Sequence, residues 1–140
     1  MSSSFVHYLV PAVLFLHGVG HWMGVLTAVG LFETGTWHSR SWLLTGVIGE
    51  PASRVLALVL WTVCSLGFIL AAVGALGWPI TIRQWRTIAA GSAVLSFLTL
   101  FLFWNGFATL FPNKTGAVVV NVAILYLFFM ANWNLGSTAT

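Results

Sequence analysis

Two histidines one helical turn apart, His17 and His21, sit in the segment Leu16-His17-Gly18-Val19-Gly20-His21-Trp22, inside the first long apolar run of the chain. Imidazole is at once a hydrogen-bond partner, a proton acceptor near neutral pH and a metal ligand, so a pair at i, i+4 is where chemistry is first sought. With about 100° of rotation per residue the two project from one side of a helix, and His7 falls within about 80° of them. Val10, Leu14, Gly24 and Ala28 share that side, whereas Tyr8, Phe15, Val19, Trp22 and Leu26 take the opposite one. In a membrane helix the small and polar side packs against protein and the bulky side meets lipid, so the pair is predicted to point inward.

Three chemistries are open to the pair. Two imidazoles and the thiolate of Cys64, the only cysteine, are suitable ligands for a transition metal such as Zn, Cu or Fe, provided that another helix completes the set. Haem needs axial ligands from opposite sides, which one helical turn cannot supply. That leaves five-coordinate haem, or an imidazole hydrogen-bonding a quinone or other lipid-soluble head group. In the third reading the histidines are neutral interhelical glue, bonded to Ser96, Thr99, Asn121 or a backbone carbonyl. The chain shows no nucleophile–base–acid set and no phosphate loop, so a self-sufficient enzyme is not predicted.

The elements that must position these groups follow from composition. In 140 residues, 5% are charged and 59% hydrophobic, whereas an ordinary soluble domain has roughly a quarter of its residues charged. The prediction is an all-α, integral membrane four-helix bundle, a single multi-pass domain in a cell membrane. Four apolar runs, roughly 5–31, 54–77, 87–111 and 116–135, are separated by all the charged residues, and each approaches or exceeds the roughly 20 residues of a bilayer crossing. Both termini and the 78–86 turn then share one side, the terminal side; the 32–53 and 112–115 connections share the other, the loop side. A three-span arrangement with 32–53 and the second run rearranged is the alternative. The N-terminal run is read as a retained span, since Met1-Ser2-Ser3-Ser4 offers no basic n-region.

The net charge of +3 comes from Arg40, Arg54, Arg83, Arg86 and Lys114 against Glu33 and Glu50, spread over segment ends. These are boundary charges and not a nucleic-acid footprint. Three basic residues on the loop side against two on the terminal side leave the orientation open. Within 32–53, Trp37, Trp42, Leu43, Leu44, Val47 and Ile48 are interleaved with His38, Arg40 and Gly46, which predicts an interfacial or partly re-entrant segment. Glu50-Pro51 reads as a helix start, and Pro11 as a tolerated kink.

The second run carries a stripe of Cys64, Gly67, Ala71, Gly74 and Ala75 suited to close helix approach. The third aligns Ser92, Ser96, Thr99, Phe103 and Gly106, and the fourth Ala117, Asn121, Leu125, Phe128 and Asn132. Counting residues inward from the loop side puts His21, Cys64 and Thr99 each about 15 Å deep, in one midplane layer. If the first two helices face each other through their small residues, His17, His21 and Cys64 converge, with Asn105, Asn121 and Glu50 above them as further ligand-binding candidates.

The segment Leu14-Phe15-Leu16-His17-Gly18-Val19-Gly20-His21, the four-span length, the Gly/Ala-rich second run with an acid at its start and the basic turn into the third run resemble the small DoxX-like membrane proteins. The resemblance covers the architecture of most of the chain. It implies a four-helix membrane fold and roles that include association with thiosulfate:quinone oxidoreductases. Where such proteins often carry a basic residue one turn after the first-helix glycine, this chain has His21. With eight Trp and eleven Phe, its outer surface suits contact with lipid, with partner membrane proteins or with a second copy. The function predicted from these observations is that of a non-catalytic accessory subunit, and the alternative is a binder of a quinone, haem or metal through the His pair.

Overall fold

The computed structural model describes residues 3–35, 37–79, 83–106 and 113–130. The regular elements in these segments are helices: α1 (Ser3–Gly20), α2 (Trp22–Ala28), α3 (Thr45–Ile48), α4 (Glu50–Ala75), α5 (Trp85–Leu102) and α6 (Thr115–Phe129), with a 3₁₀ turn at Trp104–Gly106 and no strand among the described residues. Three helical lengths are long and apolar enough to cross a membrane: His7–Ala28, which joins α1 to α2, then α4 and α5. Helix α6 is also apolar but runs for 15 residues. The predicted ends of the third and fourth runs, at 107–111 and 131–135, lie outside the described residues.

Helix α4 starts where Glu50-Pro51 predicts, after Gly49 at φ +81°, a left-handed conformation that glycine adopts without a Cβ clash. Proline in its first turn loses no helical hydrogen bond, because the N–H there has no partner inside the helix. Pro11 lies within α1 without ending it. The first run breaks instead at His21, whose N–H reaches Gly18 O at 3.2 Å, one residue short of the α register. The His17 carbonyl takes the imidazole Nδ1–H of His21 in place of a backbone donor, at 2.8 Å. A side chain inserted into the hydrogen-bond ladder is a recognised cause of a helix break.

Helix α4 is the centre of the packing, in contact with α1, α2 and α5, while α6 packs on α5. Close approach is built on glycine: a Cβ at Gly18 would lie 3.0 Å from the Ser65 carbonyl and 3.2 Å from Phe68 Cβ, and one at Gly24 would lie 2.5 Å from the Trp61 ring. The stripe of Cys64 and Gly67 faces α5, where Gly67 abuts the Ser92 hydroxyl and Cys64 Sγ sits 3.8 Å from Thr99 Oγ1. Helices α1 and α6 are not a closely packed pair. The order α1–α4–α5–α6 therefore leaves an open seam between its first and last members.

Two apolar clusters fill the interior. One joins Leu14 to Phe68, Ala71, Ala72, Trp85, Ala89 and Ala93. The other joins Val25 and Ala28 to Ala57, Trp61, Leu100 and Phe103. A layer of buried polar side chains lies between them in sequence on every long helix: His21, Ser65, Ser96, Thr99 and Asn121. Phe15 and Trp22 face outward, as predicted for the side opposite the histidines.

The connection between α2 and α3 folds back over the end of α5 through residues 38–42. The Ser41 hydroxyl donates to Leu102 O, Trp42 Nε1–H donates to Phe101 O at 2.7 Å, and Trp42 N–H donates to Asn105 Oδ1 at 2.9 Å. The last carbonyls of a helix have no partner within it, and this connection supplies two of them. Arg54 pairs with Glu33 at 2.6 Å and ties the same connection to the start of α4.

Candidate functional site

Within the polar layer the donors and acceptors form a directed chain. The carbonyl of His17 can only accept, so His21 must carry its proton on Nδ1, and its Nε2 is then the acceptor. Ser96 lies 2.8 Å from that Nε2 and donates its hydroxyl proton to it. The Ser96 oxygen in turn accepts from Asn121 Nδ2–H at 2.8 Å. With Nδ2 fixed as the amide donor, Asn121 Oδ1 accepts from His17 Nε2–H at 2.9 Å. The sequence His17 → Asn121 → Ser96 → His21 → His17 carbonyl closes on itself and joins α1, α5 and α6 through the two imidazoles.

The aromatic residues of α4 enclose this ring of bonds. His17 meets Phe68 edge to face at 4.6 Å and His21 at 4.8 Å, and His21 meets Trp61 at 5.4 Å between ring centroids. Such pairs prefer edge-to-face geometry because the ring edge is positive and the face negative. Asn121 is fully buried and His21 is 5% exposed, whereas His17 is only partly covered. A groove of about 250 Å³ opens beside the network, lined by His17, His21, Trp37, Trp61, Asn113 and Lys114 among others. It occupies the α1–α6 seam on the side of the connections, and Lys114 Nζ near it rests 4.9 Å from the centre of the Trp104 ring.

The structure brings together three of the predicted site residues, His17, His21 and Asn121. It separates the other three. Among the described residues no group of three His, Cys, Asp or Glu side chains is placed to hold a metal ion. The predicted metal set of His17, His21 and Cys64 is not assembled as such a group. The small-residue stripe that carries Cys64 packs on α5, and α1 is met instead by Trp61, Ser65 and Phe68. Asn105 is exposed and holds the backbone of Trp42, a structural bond away from the network. Glu50 is an exposed first residue of α4 and lines neither the network nor the groove.

Trp61, Phe68, Trp37 and Lys114 line the site, a place that the sequence reading gave to none of them. For the first two a signal existed: Ala57, Trp61, Ser65, Phe68 and Ala72 recur at spacings of three and four, a second inward stripe beside the glycine one. For Trp37 and Lys114, which stand on connections, no periodicity could have given one. Comparison with known protein families, with curated proteins and with solved structures finds no match to this chain.

Proposed function

We propose that the chain is a four-span integral membrane protein with both termini on one side, acting as a non-catalytic accessory subunit that packs against other membrane proteins. Its His pair serves as an internal lock. The observation that carries this reading is the closed hydrogen-bond chain, in which both donors of the two imidazoles and one acceptor are satisfied by the protein itself. Away from water such bonds hold helices in register without the apolar driving force that lipid cancels. The outward-facing Phe15, Trp22, Leu66, Leu70, Phe101 and Tyr126 supply apolar surface for neighbours on several sides. The resemblance to DoxX-like proteins points toward the same architecture.

The test is purification under native conditions, followed by mass spectrometry of copurifying chains and an absorption spectrum. Recovery of a defined membrane complex, or of a stable homo-oligomer, supports the subunit reading. A colourless monomer that captures no partner overturns it.

A second reading is favoured by the groove alone. His17 lines it, and with Nε2–H given to Asn121 its Nδ1 is an acceptor, suited to a hydroxyl on a lipid-soluble head group such as a reduced quinone. His21 has both nitrogens engaged, which directs any haem or quinone contact to His17. If a quinone is bound there, solvent extraction of the purified chain recovers it, and His17→Leu abolishes the recovery while His7→Leu leaves it unchanged.

A further inference from the structure

The seam between α1 and α6 opens a second time on the other side of the His17–Asn121 bond. There a groove of about 360 Å³ runs between α1, α5 and α6, walled by Leu9, Val13, Ala123, Ile124 and Leu127 and ending at Arg86. Along α6 it extends from Val119 to Phe128, about 13 Å at 1.5 Å per residue. There the Arg86 guanidinium stands 5.9 Å from the centre of the Phe128 ring. Arg83 precedes it by one turn's length of chain and is exposed.

The charges of the chain are divided between the two ends. Glu33 is paired with Arg54 and Glu50 begins α4, so both acids belong to the end that carries the 29–49 connection. The end at which α4 stops and α5 starts carries Arg83 and Arg86 and no acid among the described residues. Trp78 stands exposed beside the same turn, as aromatic residues do at headgroup depth. A long apolar slot with one guanidinium in its lining, and a second arginine three residues earlier in the chain, has the shape and charge of one kind of molecule.

The geometry points to a binding site for an anionic phospholipid, with one acyl chain in the α1–α5–α6 groove and its phosphate against Arg86 and Arg83. This inference rests on the reading that the chain lies in a membrane. Guanidinium groups recognise phosphate oxygens through paired N–H donors, and basic pockets between membrane helices hold anionic head groups. The lipid completes the wall that α1 and α6 leave open, which makes it a structural component of the bundle and not a diffuse neighbour.

The full chain is reconstituted and then titrated in detergent with phosphatidylglycerol or phosphatidylcholine of identical acyl chains, and bound lipid is read by native mass spectrometry. Retention of phosphatidylglycerol over phosphatidylcholine is expected, and Arg86→Gln should lower it about fivefold. Arg40→Gln, a cation at the opposite end, should leave it unchanged. Ala123→Trp, which fills the groove while keeping both arginines, should remove retention of either lipid. Equal retention of the two lipids, or insensitivity to both Arg86→Gln and Ala123→Trp, overturns the site. So does a second copy of the chain that occupies the seam in place of lipid. Carbonate extraction of the wild-type chain from vesicles is scored separately: release into the supernatant overturns the membrane reading itself.

Discussion

Asn121 is the residue on which the network turns, because it is the one side chain that both accepts from His17 and donates to Ser96. Replacing it with leucine, which is similar in size, deprives His17 Nε2–H of its acceptor. It also removes the side-chain hydrogen bonds that α6 makes to His17 and Ser96. A loss of about 1–3 kcal/mol is expected, the cost of a buried donor left unmade, read from reversible unfolding in mixed micelles. His7→Leu, at an exposed position, should stay within about 0.5 kcal/mol. Ser96→Ala combined with Asn121→Leu should cost less than the sum of the two single changes, since both break the same chain. The inventory of this layer was legible in the sequence, where Ser96, Asn121 and a carbonyl are named as partners for the histidines. The pairing of Cys64 was not, because counting turns fixes a residue's depth but not its azimuth. Cys64 and His21 both lie in the polar layer, yet they project from helices toward different neighbours.

At the scale of elements, the α1–α2 unit is held against α4 by glycines that admit aromatic rings. Gly24 carries the Trp61 ring against its backbone, while a Cβ at Gly20 would meet nothing within 4 Å. Gly24→Ala is therefore expected to cost about 1–3 kcal/mol through overpacking. Gly20→Ala should be neutral or stabilising by up to about 1 kcal/mol, from the reduced freedom of the unfolded chain. Thermal unfolding of the two variants side by side checks the contrast. The connection 29–49 offers another test, because Asn105 and the Phe101 and Leu102 carbonyls are what hold Trp42 and Ser41 down. Asn105→Leu should raise protease cleavage within 33–49 and leave the unfolding cost of Asn121→Leu unaltered, as two sites without shared partners add independently. The sequence reading anticipates an interfacial segment here but cannot show that it caps α5. Capping is a tertiary contact between residues some 60 positions apart in sequence. The break at His21 was equally hidden, for proline at position 11 is the usual local signal of a kink and a histidine bonding its own turn is not.

For the whole molecule, the decisive quantity is the length of α6. Its 15 described residues span about 22 Å at 1.5 Å per residue, against roughly 30 Å of hydrocarbon core. The other three lengths, of 22, 26 and 18 residues, stand closer to or above that thickness. Composition makes the membrane-length apolar runs legible without any structure; under the proposed membrane reading, the count of crossings depends on whether the fourth run, 116–135, traverses fully. Cysteine mapping in a Cys64→Ser background decides it, since a hydroxyl keeps a partner for Thr99 at the same place. Single cysteines at Gly35 and Asn113 should react with an impermeant maleimide from one face of oriented vesicles, and one at Gln84 from the other. Tags at the two termini should both be reached from the Gln84 face. A C-terminal tag on the Gly35 face would instead make α6 a helix that dips into the membrane as far as the His17–Asn121 bond and returns. That bond would then anchor a re-entrant segment, and Asn121→Leu would release α6 to protease from the Gly35 face. Under four full crossings the same substitution weakens the bundle but leaves α6 protected, because a membrane-spanning helix remains buried in lipid when one of its interhelical bonds is lost.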